Sequence, residues 1–259
     1  NGFLVKFSST GSRLWGTYYG GAGNDTINSV CADNSGNIYI CGSTTSTSGI
    51  SSAGAYQSSF AGGASDMFMA KFDNSGVRQW GTYYGGTSSE SGTAVATDIS
   101  GDVFLAGKTA STGMASVGAH QSAYGGGVFD VLLAKFDNTG SRIWSTYYGG
   151  SSGDYPWGAT TDGTGNVYVT GTTGSSSGIA TFDGYLTSAM GGNDAFLVEF
   201  STSGTRLWGT YYGNTVSETG TCVATDVAGN IYMGGVTSSS TGIATAGAHM
   251  TTFGGGTFD

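Results

Sequence analysis

Short runs of alternating apolar and polar residues, bounded by Gly, Asn, Asp and Ser, recur along the whole chain. Residues 92–97 and 102–107 flank a turn rich in Asp and Gly, which predicts a β-hairpin. Residues 67–72 and 78–84 flank a similar turn and predict a second hairpin. A Ser-, Thr- and Gly-rich loop separates hairpins of the two kinds, so the pattern predicts groups of four short antiparallel strands.

The four-strand pattern is repeated. A segment close to Trp-Gly-Thr-Tyr-Tyr-Gly-Gly begins at Trp15, Trp80, Trp144 and Trp208, about 64 residues apart. Laid over one another, the copies predict a single repeat domain, 1–259, with units at approximately 1–65, 66–129, 130–193 and 194–258, each starting at a third strand. Asp259 would open a fifth unit, and we expect the chain to be a segment of a longer polypeptide. The repeated Trp and Tyr-Tyr side chains are expected to pack between neighbouring sheets.

Repeated four-stranded units are typical of propeller blades, and the predicted fold is an all-β β-propeller. Two arrangements fit the repeats. The first two strands of the last copy can pair with the N-terminal third and fourth strands and close a four-bladed ring, or the chain is a segment of a larger propeller or array. A flat solenoid is the minor alternative.

Composition narrows the class of function. The chain has 49 Gly and only 10% charged residues, which is typical of a loop-rich, exported protein. Eight Lys and Arg and a net charge of -9 argue against a nucleic-acid partner. No run approaches the roughly 18 apolar residues that a membrane helix needs, so no membrane insertion is expected.

Residues 184–200, 208–213 and 226–233 resemble the SBBP beta-propeller repeat of bacterial surface and secreted proteins, as do the glycine-rich stretches 118–127 and 247–256. The resemblance implies a propeller in a large exported polypeptide, at the cell surface or extracellular, often in Bacteroidetes-like bacteria. It also implies an O-linked glycan at Thr26, in the short motif Asp25-Thr26-Ile27. Asn24 to Thr26 fits the N-glycosylation pattern as well.

One acidic residue in each copy follows the repeated Trp by ten positions: Asp25, Glu90, Asp154 and Glu218. These residues precede the predicted first strand, which lines the axis of a propeller. One interpretation is a ring of carboxylates that binds calcium through oxygen ligands. The alternative, which we favour, is that each carboxylate accepts backbone N–H groups from a neighbouring blade.

The third copy departs from the repeat at residues 154–157, which contain the only Pro and the one Trp outside the repeated set. Tyr155 and Trp157 beside an acid suit the C–H faces and hydroxyls of a sugar. The simpler interpretation is packing of a divergent loop. No combination of nucleophile, base and orienting group is evident elsewhere.

The leading functional hypothesis is a non-enzymatic extracellular scaffold or adhesion protein of a bacterial cell surface or extracellular filament. Its partners would be other protein subunits or surface glycans, with self-assembly through unpaired strand edges. A glycan-binding propeller module is the alternative. A propeller glycosidase or lyase is less favoured, because the repeated Arg residues lie in the predicted outer strand. No cofactor other than calcium is expected.

Overall fold

The computed structural model describes residues 1–257, and every regular element in this range is a β-strand. Three complete antiparallel blades follow one another along the chain. The first blade contains β3 (Asp25–Ala32), β4 (Ile38–Thr44), β5 (Asp66–Phe72) and β6 (Arg78–Tyr84); the second contains β7 (Glu90–Thr97), β8 (Val103–Thr109), β9 (Asp130–Phe136) and β10 (Arg142–Tyr148); the third contains β11 (Asp154–Thr161), β12 (Val167–Thr173), β13 (Asp194–Phe200) and β14 (Arg206–Tyr212).

A two-stranded sheet lies at each end of this series. The N-terminal half-blade is β1 (Gly2–Phe7) paired with β2 (Arg13–Tyr19), and the C-terminal half-blade is β15 (Glu218–Thr225) paired with β16 (Ile231–Thr237). Within residues 1–257 these sheets stay separate, and no ladder joins β16 to β1. The all-β, four-stranded repeat expected from the sequence is confirmed, whereas closure into a four-bladed ring is not observed.

The first strands of successive blades lie side by side. The Thr161 hydroxyl of β11 donates to the Thr97 carbonyl of β7 at 2.7 Å, and the Thr225 hydroxyl of β15 donates to the Thr161 carbonyl at 2.9 Å. The same threonine therefore links each inner strand to the previous one. We refer to these first strands as the inner strands.

The hairpin turns of the repeat are held by their aspartates. Asp98 Oδ1 accepts hydrogen bonds from the Ser100 and Asp102 backbone N–H groups at 2.9 and 3.0 Å. Equivalent bonds form at Asp33, Asp162 and Asp226. These are Asx turns, which explain the recurring Asp and Gly without any ligand.

The repeated aromatic residues pack between blades, as the sequence predicted. Tyr147 and Tyr148 of β10 are fully buried; the Tyr147 hydroxyl donates to the Ser111 carbonyl in the long connector of its own blade, and the Tyr148 hydroxyl donates to the Ile179 carbonyl in that of the next blade. Such connectors run from the second to the third strand of each blade, at residues 45–65, 110–129 and 174–193. Each tyrosine pair therefore couples two neighbouring units. No helix long and apolar enough to cross a membrane occurs within residues 1–257.

Candidate functional site

Trp157 projects from a β-bulge in the inner strand of the third blade. The register between β11 and β12 shifts between Pro156 and Gly158, so Trp157 is the extra residue. The sequence analysis treated this segment as a divergent loop, but it is a strand, because the bulge accommodates both the proline and the large side chain. The Trp157 side chain is 44% exposed.

Every blade has a bulge at this position, but only the third blade presents an aromatic side chain there. The other bulges carry small polar residues, and two of these bond back to their own blade: the Thr93 hydroxyl donates to the Ala106 carbonyl at 3.2 Å and the Thr221 hydroxyl to the Gly234 carbonyl at 3.3 Å. Bulges often re-aim side chains at functional positions. The third bulge therefore places a partly exposed indole where the other copies have small polar side chains.

Hydrogen bonds orient the Trp157 indole. Its Nε1 donates to the Thr172 hydroxyl at 3.1 Å, and the Thr172 hydroxyl donates to the Thr219 hydroxyl of the next inner strand at 3.0 Å. Thr172 also lies opposite Tyr155 in the β11–β12 ladder. Tyr155, Thr172 and Trp157 consequently belong to one surface.

Tyr155 contacts the preceding blade. Its ring meets Phe129 edge-on, with 5.9 Å between ring centroids. The Lys108 ammonium group of β8 lies 4.6 Å from the Phe129 centroid and 5.6 Å from the Tyr155 centroid. These distances are those of cation–π contacts. We refer to Lys108, Phe129, Tyr155 and Trp157 as the aromatic junction.

Three members of the aromatic junction depart from the repeat: Lys108, Tyr155 and Trp157. Small or medium-sized side chains stand at the equivalent positions of the other copies: Ser43, Thr172 and Val236 for Lys108; Thr26, Ser91 and Thr219 for Tyr155; Asn28, Thr93 and Thr221 for Trp157. The position of Phe129 is variable, with Ser65, Asn193 and Phe258 as its equivalents in the sequence. Sequence reasoning found Tyr155 and Trp157 but missed Lys108 and Phe129. The departure of Lys108 from the repeat was a visible signal, but the proximity of Lys108 and Phe129 to Tyr155 was not, since both lie in another blade.

The four predicted acids open the first strands and are buried, at 0 to 6% exposure. In the third blade, Asp154 accepts hydrogen bonds from the Gly150 N–H at 2.8 Å and the Ser175 hydroxyl at 2.9 Å, and also from the Thr173 hydroxyl. The other three acids accept corresponding bonds from the backbone four residues earlier and from a second-strand threonine: Asp25, Glu90 and Glu218. Each carboxylate thus links the turn before its first strand to the second strand of the same blade.

This geometry favours the structural interpretation of these acids over the calcium interpretation. Residues 1–257 contain no group of three or more His, Cys, Asp or Glu side chains placed to hold a metal ion. The structure does not bring Asp25, Glu90, Asp154 and Glu218 together as one ligand set; each is enclosed by hydroxyl and N–H donors that would compete with a cation.

A second set of buried aspartates opens the third strands: Asp66, Asp130 and Asp194. In each, Oδ1 is buried without a hydrogen-bond partner. Burial raises the pKa of Asp66 to about 6 and that of Asp130 to about 7; the nearby acids Glu90 and Asp154 contribute to these shifts. Burial also raises the pKa of Asp194.

The N-terminal copy indicates what these unpartnered oxygens face. Asn1 occupies the equivalent repeat position, and its amide nitrogen can donate to Asp25 Oδ2 and to the Gly21 carbonyl, both at 2.9 Å. A hydrogen-bond donor therefore suits this position. In the other copies an aspartate supplies a donor there only if it carries a proton.

The glycosylation candidate Thr26 is exposed, but it lies within β3 rather than in a loop, and Asn24 is exposed immediately before that strand. The structure does not test whether either residue is modified.

The repeated arginines do not converge on one site. Arg78, Arg142 and Arg206 each donate to a connector carbonyl, of Ile50, Met114 and Ile179, at 3.1 to 3.2 Å. Their spacing from blade to blade leaves each one tied to its own connector.

The structure consists of repeated four-stranded antiparallel sheets, the unit from which β-propellers are built. Residues 14–49 and 143–178 match the SBBP family, described as a beta-propeller repeat, which confirms the resemblance inferred from sequence. The two matched regions lie two repeats apart, at the same positions of the repeat.

Two individual proteins are also similar. The regulatory protein FlaEY of Caulobacter vibrioides (strain ATCC 19089 / CIP 103742 / CB 15) is 25% identical over 138 residues, which are 53% of this chain and 14% of FlaEY. A crystal structure of a protein of unknown function from Bacteroides caccae superposes with a TM-score of 0.45 and 12% identity, covering 88% of this chain and 63% of that one.

Proposed function

We propose that this chain is a non-enzymatic scaffold or adhesion module of a bacterial cell surface or extracellular filament, built to join further half-blades of the same repeat. The observation that carries this proposal is the exposure of aromatic residues on the N-terminal half-blade. Phe3, Phe7 and Tyr18 are 71%, 58% and 80% exposed, whereas their equivalents in all three complete blades are at most 3% exposed. The low content of charged residues, 10%, supports an extracellular location.

The two half-blades are complementary. In complete blades the second and third strands pair in a constant register, with Tyr39 opposite Lys71 and Phe104 opposite Lys135. The same register would set Tyr232 of β16 opposite Lys6 of β1. Tyr232 is 59% exposed, so its pairing would bury an aromatic ring on each half-blade.

Glycine spacing supports this register. Gly42 and Gly171 of the second strands leave room for Phe68 and Phe196 of the third strands, since a Cβ on either glycine would lie 3.0 Å or less from the facing ring. Gly235 of β16 stands at the equivalent position, opposite Phe3 of β1. The two edges therefore match in backbone register and in side-chain volume.

We expect the double variant Lys6→Cys, Tyr232→Cys, in a Cys222→Ala background, to be joined efficiently by a short bis-maleimide, because directly paired strand residues have Cβ atoms about 5 Å apart. Intact mass separates the products. Linked multimers support assembly between copies, and a linked monomer supports closure of a four-bladed ring.

The matched control moves one thiol off the edge while keeping it exposed. Lys6→Cys with Val227→Cys places the second thiol in the β15–β16 turn, where Val227 is fully exposed. Equal linking of both double variants, or none in the in-register pair, would contradict half-blade pairing.

Glycan binding is the second candidate function, favoured by one observation: the exposed, hydrogen-bond-oriented indole of Trp157 at the third bulge. A fixed indole face packs on the C–H face of a sugar ring without losing side-chain freedom on binding.

For this candidate we expect Trp157→Thr to abolish saturable lactose binding measured by saturation-transfer NMR. Threonine stands at the same bulge in two other blades, so the variant is expected to retain the fold. Phe182→Ser removes an exposed aromatic residue elsewhere, at 96% exposure, and should leave binding intact. Unchanged binding in Trp157→Thr would exclude Trp157 as the sugar platform.

A further inference from the structure

Lys108 is the distinctive cation of the aromatic junction. It is the only Lys or Arg outside the two basic positions that recur in the repeat. The other lysines reach across blades: Lys71 donates to the Asn138 carbonyl at 3.1 Å, and Lys135 donates to the Thr202 hydroxyl at 2.6 Å. The Lys108 ammonium group, in contrast, meets two aromatic rings and makes no hydrogen bond or ion pair with any residue of the described range 1–257.

The nearby acids do not neutralise Lys108. Asp130 and Asp154 are adjacent in sequence to Phe129 and Tyr155, but both are fully buried. The Asp154 oxygens accept bonds from Gly150, Thr173 and Ser175, and an Asp130 oxygen accepts one from Gly125. The half-buried ammonium therefore keeps its N–H donors free for an external acceptor.

The neighbouring groups add two further requirements for a ligand. The exposed Trp157 indole is bonded to the Thr172 hydroxyl, and Thr172 lies opposite Tyr155, whose ring the Lys108 ammonium group meets. A ligand that satisfies all three needs an apolar ring face, hydroxyl groups and a negative charge. A sugar that carries a carboxylate has each of these features.

We propose that the aromatic junction binds a carboxylate-bearing sugar, with the Trp157 indole stacking on the ring and Lys108 donating to the carboxylate. The inference rests on the glycan-binding candidate and adds the class of glycan and the residue that selects it. A charge-assisted hydrogen bond from an ammonium group supplies the preference for acidic over neutral sugars.

The test compares 3′-sialyllactose and trigalacturonate with neutral lactose by isothermal titration calorimetry. We expect both acidic probes to bind about tenfold more tightly than lactose, as one charge-assisted hydrogen bond provides. Lys108→Thr, which introduces the residue found at the equivalent Thr172, should remove this difference between acidic and neutral probes. Trp157→Thr should abolish lactose binding and weaken the binding of both acidic probes.

The outcomes distinguish glycan binding itself from the preference for acidic sugars that Lys108 would provide. If lactose and the acidic probes bind equally and Lys108→Thr changes nothing, selection by Lys108 is wrong while glycan binding stands. If no probe binds in the millimolar range, glycan binding and the acidic preference fail together. If Phe182→Ser weakens binding as much as Trp157→Thr, the sugar site lies away from the aromatic junction and the proposal is overturned.

Discussion

Trp144→Ala is expected to destabilise the chain by about 3–5 kcal/mol, the usual cost of removing a buried aromatic side chain. The Trp144 indole closes the contact between the second and third blades. Its Nε1 donates to the Thr202 carbonyl at 3.0 Å, and its ring lies 6.0 Å from Phe104, centroid to centroid. Denaturant unfolding followed by circular dichroism measures the change in the free energy of unfolding.

The turn beneath Trp144 explains why no smaller side chain suffices. Gly204 has φ +85°, and a Cβ there would lie 2.8 Å from Trp144 Cδ2, so the indole rests directly on the turn backbone. Removing the ring leaves a cavity that the tight turn cannot fill. Trp144→Phe should show an intermediate loss, because it keeps most of the apolar contact but not the N–H donor.

Trp208 provides a matched control within the same chain. It occupies the same repeat position in the third blade, where the described part of the C-terminal half-blade, up to residue 257, has two strands and leaves it only half-buried. Trp208→Ala should therefore cost less than half as much as Trp144→Ala. Equal losses would mean that the stabilisation comes from within each blade rather than from the contact between blades.

The sequence predicted this packing well. The Trp and Tyr-Tyr segment recurs at a nearly constant interval. Such a recurrence is expected when the same side chain fills the same space between blades in every copy. The Asx turns were equally accessible, because Asp and Gly at fixed offsets report a local backbone geometry. The sequence predicted the starts of strands less accurately: it placed a strand at residues 92–97, whereas that strand begins at Glu90. The repeated acids consequently lie inside the first strands, where they are buried, rather than before them.

The candidate site was only half predictable. Trp157 stood out as an exception to the repeat, but its bulge depends on the register with β12, which no local pattern reports. Lys108 and Phe129 join it through contacts between blades, across tens of residues. The pairing of buried acids was hidden for the same reason: Asp130 and Asp154 belong to different blades and meet only when the blades pack.

This pair of acids leads to the second large effect, a gain in stability from Asp130→Asn at pH 8 of about 1–3 kcal/mol, the cost of an unsatisfied buried polar group. An atom at the Cβ position of Gly149 would lie 2.5 Å from Asp154 Oδ2 and 3.1 Å from Asp130 Oδ1, so the two carboxyl groups border the same point. The other groups facing Asp130 are the Gly125 N–H and the phenols of Tyr124 and Tyr147, with no cation among them. An asparagine would donate to Asp154 as Asn1 does to Asp25.

The raised pKa of Asp130 determines whether its contribution to stability rises or falls with pH. The pKa of Asp130 is raised to about 7 by burial and by Asp154, compared with about 3.9 in an unfolded chain. The folded protein therefore retains a proton that the unfolded chain releases, and the contribution to stability is complete below about pH 4 and is lost as the pH rises to about 7. Asp130→Asn should flatten the fall in melting temperature across this range.

An exposed turn carboxylate serves as the control for Asp130→Asn. Hydrogen bonds from the Ser75 hydroxyl and the Val77 N–H lower the pKa of Asp73, so its contribution is present above about pH 4 and is lost on acidification. Asp73→Asn should therefore leave the slope between pH 4 and 7 unchanged. If Asp130→Asn also leaves that slope unchanged, the buried pair holds no extra proton. Both carboxylates would then be charged in the folded protein, and the junction between the second and third blades would need a cation that balances them.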